Sequence, residues 1–172
     1  MAGILPMAIH NCEIYFLFGR ERRYPKHRDS EQWSDFGGAA DKGETKKDTA
    51  IREGHEETNG FIGDIKMIED LVTNYLFTTI STNNYTTYII NIEYDDSLPE
   101  QFSQLYDNIL ENEPQLLLQH SGKYEKDMAR WVKLSELHIF KKKARRFYQR
   151  IINDIILYFK YIKKFDNQVN DT

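Results

Sequence analysis

The chain has 172 residues, enough for one domain with a substantial core and rarely for two. Its 27 Asp and Glu against 23 Lys and Arg leave a formal net charge of −4, which excludes a uniformly basic nucleic-acid binder. A 40% hydrophobic and 13% aromatic content excludes disorder for the body, and the single cysteine, Cys12, excludes an internal disulfide and an all-cysteine zinc site.

Taken in chain order, residues 1–6 have no basic segment ahead of their short apolar stretch, so no secretory signal is expected. No apolar run approaches the roughly 20 residues that span a bilayer. The expected setting is the cytoplasm or another intracellular compartment, without a membrane partner. Ile14 to Phe18 reads as a strand, with Cys12 counted as a strand residue, and a charged loop follows from Gly19 to Glu31. Asp35-Phe36-Gly37-Gly38 reads as a turn, and Thr45 to Thr58 as a helix that Asn59-Gly60 stops, since both residues tolerate a left-handed backbone. Ile65 to Ile80 and Tyr85 to Tyr94 are β-branched and aromatic, predicting a long hairpin about Asn83-Asn84. Phe102, Leu105 and Ile109 are spaced as a helix face, and Trp131 to Leu134 as a strand.

The last predicted element is a helix over Lys141 to Phe165, with Phe147, Ile151, Ile155, Phe159 and Ile162 on one face and residues 166–172 frayed. The net charge divides there: residues 1–140 hold 14 basic and 24 acidic side chains, and residues 141–172 hold 9 and 3. Strands with helices before and after them indicate an α/β or α+β sandwich, a single domain over residues 1–165.

The chemistry concentrates in Gly38, Glu44 and the run Arg52-Glu53-Gly54-His55-Glu56-Glu57. On a helical wheel Glu57 and Glu56 fall roughly 40° and 60° either side of Glu53, so three carboxylates share an arc of about 100°. At ~4 Å such a pair repels by about 1 kcal/mol in water and about 4 kcal/mol at an effective dielectric of 20. Exposure to water relieves this, as does a hard divalent cation, which takes oxygen ligands and keeps places for substrate phosphates. The Gly37-Gly38 backbone can approach a metal or phosphate where a Cβ would obstruct. Arg52 can orient Glu44 or Glu56 by charge-assisted hydrogen bonds.

These residues resemble the Nudix hydrolase signature, G-x5-E-x7-R-E-U-x-E-E-x-G-U with U a bulky apolar residue. Trp33-Ser34-Asp35-Phe36-Gly37-Gly38 is similar to the aromatic Gly-Gly strand end that leads into it. The match runs from Trp33 to Gly60 and departs twice: Gly54 stands at the apolar position, and Thr58-Asn59-Gly60 either inserts a residue or puts Asn59 where the pattern has Gly. The resemblance implies an α/β/α sandwich around a mixed sheet, Mg²⁺ or Mn²⁺ as cofactor, and hydrolysis of a diphosphate linkage in a nucleoside diphosphate joined to another group. It implies that Glu53, Glu56, Glu57 and the Gly38 carbonyl hold metal, and that Arg52 and Glu44 orient them. A general base is expected from a downstream loop, with Glu125 first and Asp127 and Glu93 behind it.

Trp33, Phe36, Tyr85 and Tyr88 are candidates for stacking on a nucleobase, with Gly37 beside the phosphates, although core or sheet-surface packing is the commoner role of aromatics at such positions. His55 falls on the far side of the helix from Glu53. The cluster Lys141-Lys142-Lys143-Ala144-Arg145-Arg146, with Arg150, opposes the dipole of the helix it is expected to start. Lys141 and Arg145 in it are candidates for holding RNA phosphates. That would suit an mRNA-decapping member of the family, releasing m⁷GDP. A catalytically silent nucleotide sensor is the reading from another class, and the four intact glutamates argue against it. The Asn, Ile, Lys and Tyr-rich composition resembles proteins of large DNA viruses, which would place the protein in a host cytoplasm.

Overall fold

The structure, a computed structural model, describes residues 1–23, 28–118 and 122–170, with side chains through residue 162. Part of the expected charged loop therefore lies outside the described residues, as do positions 171 and 172 of the tail. The elements run β1 (Ala2–His10), β2 (Glu13–Glu21), β3 (Trp33–Ser34), β4 (Phe36–Gly38), α1 (Lys46–Glu57), α2 (Ile65–Asn74), β5 (Leu76–Ser81) and β6 (Thr86–Asn91). They continue with α3 (Leu98–Asn112), β7 (Lys126–Lys133), the single turn α4 (Leu137–Phe140) and α5 (Tyr148–Asn170).

The seven strands form one mixed sheet. β1 is central: it pairs in parallel with β6, and along its other edge antiparallel first with β4 and then with β2. Pro6, which has no N–H to donate, lies between Ile4, the last residue paired to β4, and Met7, the first paired to β2. β2 carries β7 on its outer edge and β3 beyond its pairing with β1. Period-two alternation sends Ile4, Leu17 and Ala129 to one face, where they pack with Ala50, Ile68 and Phe102 of the first three helices. Leu5, Met7, Phe16, Phe18 and Val132 go to the other, under Tyr148, Ile151, Ile155 and Phe159 of α5. The molecule is the α/β/α sandwich around a mixed sheet that the resemblance implied.

Several local expectations are corrected. β1 is buried on both faces and so reads as a continuous apolar run rather than an alternating one, which hid it. Cys12 is not in a strand but, with Asn11, makes a two-residue turn at φ of 61° and 50°, the positive-φ pair that a tight hairpin needs. Gly37 and Gly38 belong to β4, not to a turn. Residues 65–74 form a helix capped by the Asp64 side chain, so the hairpin is only β5 and β6. The long final helix begins at Tyr148, not Lys141, and continues to Asn170 past the expected end at Phe165. Lys141 to Lys143 form a separate 3₁₀ turn, and Phe147 precedes the helix at 39% exposure rather than joining its buried face. Among the described residues no helix is long and apolar enough to cross a membrane.

α1 is set by its ends. Thr45 and Asp48 form a reciprocal capping box at its start. At its other end the Asn59 and Gly60 amides donate to the Glu56 and His55 carbonyls, with Asn59 at φ 53°, so Asn59 occupies the left-handed position after the helix. Gly54 is explained by the sheet beneath: a Cβ there would lie 2.6 Å from Ile4 Cδ1. Ile4 occupies the space that the apolar residue of the signature would fill.

Asp35, between β3 and β4, is fully buried and accepts hydrogen bonds from the Tyr85 hydroxyl and Thr87 Oγ1, both at 2.8 Å. Burial pushes its carboxyl up to about 6, while those hydroxyls and the nearby Lys126 charge pull the other way. A folded pKa above the unfolded one means that the native state keeps a proton the unfolded chain has released between about pH 4 and 6. The contribution of Asp35 is therefore full below that window and lost as pH rises through it. In urea unfolding, Asp35→Asn should gain on the wild type by about 1.4 kcal/mol per pH unit across the window. A pH-independent difference would contradict this reading.

Candidate active site

β4, α1 and the segment leading into β7 converge on a cleft of about 1040 Å³. The Gly37 amide at the end of β4 donates to Glu57 Oε2 at 2.5 Å, which locks the last carboxylate of α1 against the sheet. Gly38 lies so close to the helix that a Cβ on it would stand 2.5 Å from Glu53 Oε1. Arg52 is the hub of the helix face. Its Nε donates to Glu44 Oε1 at 2.7 Å, its Nη2 to the Ala39 carbonyl at 2.9 Å, and its Nη1 to Glu56 Oε2 at 3.1 Å. The same Nη1 is 3.0 Å from Glu53 Oε1.

Glu44 also accepts from the Asp41 amide and Thr49 Oγ1, so it anchors Arg52 to the loop before α1; the Arg52 guanidinium holds its carboxyl down at about 2. Glu53 and Glu57 behave oppositely. Burial raises both above the usual carboxylate range, against the pull of Arg52 on the first and Lys126 on the second.

Glu21, Asp29, Asp41, Glu53, Glu56, Glu57 and Glu125 face the cleft against Arg28, Arg52 and Arg145, an excess of negative charge. Among the described residues no three acidic, His or Cys side chains enclose a single point as cation ligands do, and Arg52 Nη1 lies 3.0 Å from Glu53 Oε1 and 3.1 Å from Glu56 Oε2.

The structure thus brings together Glu44, Arg52, Glu53, Glu56, Glu57, Gly37, Gly38, Glu125 and Arg145. Arg145 enters by binding Glu21 Oε1 and Asp29 Oδ2, each at 3.0 Å. The other candidates are elsewhere. Trp33 is core, packed edge-on against Phe140, and Phe36 is fully buried beside Phe102, so neither can stack on a base. Tyr85 is the exception in lining the cleft, but it is buried with its hydroxyl committed to Asp35, whereas Tyr88 packs beside the Ile4 face of the core. Lys141 turns away to Asn153 Oδ1 at 2.8 Å. Asp127 is consumed by Arg20 in a two-pronged ion pair, and Glu93 is exposed at a different cleft beside Phe61. His55 faces a small cleft with Asn59 and Tyr124, away from the carboxylates.

Three participants escaped the sequence reading: Lys126, Glu21 and Asp29. Lys126 is fully buried at the start of β7; its Nζ binds Glu21, donates to Ser34 Oγ at 3.2 Å and stands 3.4 Å from Glu57 Oε1. The sheet register places Glu21 directly opposite Lys126, an opposite-charge cross-strand pair with no local signal in the chain.

The NUDIX domain family matches residues 9–154. An uncharacterized protein of Acanthamoeba polyphaga mimivirus is 46% identical over 59 residues, which cover 34% of this chain, and the chain spans 19% of the length of that curated relative. Among solved structures, the Nudix hydrolase RenU from M. smegmatis superimposes with a TM-score of 0.54 at 17% identity, covering 94% of this chain and 86% of that one. A C. elegans Ap4A hydrolase in a binary complex gives a TM-score of 0.53 at 16% identity, covering 92% of this chain and 96% of the other. At those identities the likeness is one of fold. The domain match spans most of the chain and takes in the whole carboxylate helix: the chain belongs to the Nudix family.

Proposed function

We propose that this protein is a divalent-metal-dependent pyrophosphohydrolase that cleaves the diphosphate linkage of a nucleoside diphosphate joined to another group. The observation that carries the reading is the gathering of Glu53, Glu56, Glu57 and Glu125 on one cleft, walled by the Gly37-Gly38 backbone. Oxygen-only donors and an excess of negative charge suit Mg²⁺ or Mn²⁺, and a side chain on Gly38 would fill the space beside Glu53. Glu53, Glu56 and Glu57, with the Gly38 carbonyl, would hold the metal. Glu53 and Glu56 share a single Arg52 nitrogen, so each keeps lone pairs for a cation. When bound, such ions supply an activated water at neutral pH and neutralise charge on the leaving phosphate oxygen.

The chain's own groups divide the remaining work. Arg52, tethered by Glu44 and the Ala39 carbonyl, fixes the two glutamates it touches. Gly37 and Lys126 hold Glu57 from behind. Glu125 faces the same cleft from the loop before β7, from which it would take the proton of the attacking water.

The test is turnover by the purified protein of ADP-ribose, dinucleoside polyphosphates, (d)NTPs, inositol pyrophosphates and capped RNA, each with Mg²⁺ and with Mn²⁺. Metal-dependent release of a nucleoside monophosphate or diphosphate is expected, and none across the panel leaves the sensor reading. Decapping is a second reading, favoured by the cleft that Lys142, Lys143 and Arg146 line beside Trp33. It requires m⁷GDP from capped RNA and no turnover of free nucleotides.

A further inference from the structure

A second cleft, of about 580 Å³, adjoins the carboxylate cleft, and the two share Met1, Arg28, Asp29, Tyr85 and Phe147. The rest of its wall is the turn between β5 and β6 together with Arg146 and Arg150. Charge reverses across the shared wall. The first cleft is dominated by carboxylates, whereas the second has three arginines against Asp29 alone, and Asp29 is already held by Arg145 Nη2 at 3.0 Å. Arg146 and Arg150 are exposed and make no ion pair among the described residues. Arg150 sits in the first turn of α5, where a cation opposes the helix dipole, so folding does not account for it. Between them Phe147 is 39% exposed, with the Arg145 guanidinium 5.0 Å from its ring centroid.

We infer that this annex binds phosphate groups of the substrate beyond the diphosphate being cleaved, so that the preferred substrates are nucleotides with a chain of three or more phosphates. The inference rests on the reading of the carboxylate cleft given above. A polyphosphate chain entering a cleft with excess negative charge meets repulsion that metal offsets only where the metal sits. The remaining charges need cations further along. Arginine forks match phosphate oxygens two at a time, and two of the three here have no competing carboxylate. The volume suits part of a small molecule.

Binding without turnover separates the two readings. Inorganic tripolyphosphate and ADP-ribose are titrated calorimetrically, in EDTA, into the wild-type chain, the double variant Arg146→Ala/Arg150→Ala, and Glu53→Gln. The expected result is tripolyphosphate binding to wild type and to Glu53→Gln, weakened about tenfold or more in the arginine variant, as loss of charge-assisted hydrogen bonds requires. ADP-ribose, with only its diphosphate, should not respond to the arginine change. Equal tripolyphosphate affinity in wild type and the arginine variant, with matching circular dichroism, would overturn the annex. Arginine-dependent binding without turnover of any substrate retains the annex and removes the hydrolase reading. Metal-dependent turnover with arginine-insensitive binding does the reverse.

Discussion

Replacing Glu53 by Gln is expected to lower kcat/KM on the order of 10²-fold or more while leaving the protein as stable as the wild type or more so. The loss follows from the placement of the carboxylate, which faces the cleft beside Glu56, Glu57 and Glu125 where a metal-held water and a developing phosphate charge would be stabilised. The gain follows from its electrostatics. Burial raises the Glu53 carboxyl above its ordinary range, and Glu56 and Glu125 push it further, so its ionised form costs folding energy that a neutral amide does not. Opposite effects on activity and stability mark a group retained for chemistry. Steady-state kinetics in Mg²⁺ and thermal unfolding of the same preparation check both halves. Unchanged activity would remove the metal assignment. Glu57→Gln is the less clean test, because Glu57 also anchors Gly37 and faces Lys126.

Lys126→Met is expected to cost about 3–5 kcal/mol at neutral pH, a large part of the stability of a domain this size. The ammonium is fully buried and bridges Glu21 and Glu57. Burial alone would lower its pKa, and the two carboxylates more than reverse this, so it stays charged throughout the physiological range. For Glu57 the balance is the opposite: burial outweighs the attraction of Lys126. Among the described residues, methionine would leave Glu57 with only the Gly37 amide, whereas Glu21 would keep Arg145. The raised Glu57 carboxyl fixes the sign with pH. Its protonation relieves the unpaired charge, so the deficit against wild type shrinks as pH falls and widens as pH rises. Urea unfolding of both proteins at pH 5 and pH 8 measures it. A deficit below about 1 kcal/mol at pH 8 would show that Lys126 does not secure the carboxylate helix.

What could be read from the chain was local. The helix over Thr45 to Thr58, its stop at Asn59-Gly60 and the spacing of Arg52, Glu53, Glu56 and Glu57 all belong to one short segment. A helix of fixed pitch turns spacing directly into geometry, so three carboxylates on one face followed from residue numbers alone. The misreadings share a physical cause. β1 has no alternation because helices cover both faces of the sheet. Ile65 to Asn74 is rich in strand-favouring side chains, but Asp64 caps it and Ile68 and Val72 bury as a helix face. Trp33 and Phe36 look like base-stacking residues until the sheet turns both into the core.

The sequence by itself therefore determined the carboxylate helix, its stop and the charge contrast between the body and the last 32 residues. Only the tertiary structure decided how that contrast is used. It sends Lys141 to the surface, Arg145 into the carboxylate cleft, and Arg146 and Arg150 to the cleft beside it. It also brings Lys126 opposite Glu21 across more than 100 residues of chain. The reason is that register and layer packing, unlike helix pitch, depend on partners far away in sequence, and those partners choose which charge meets which.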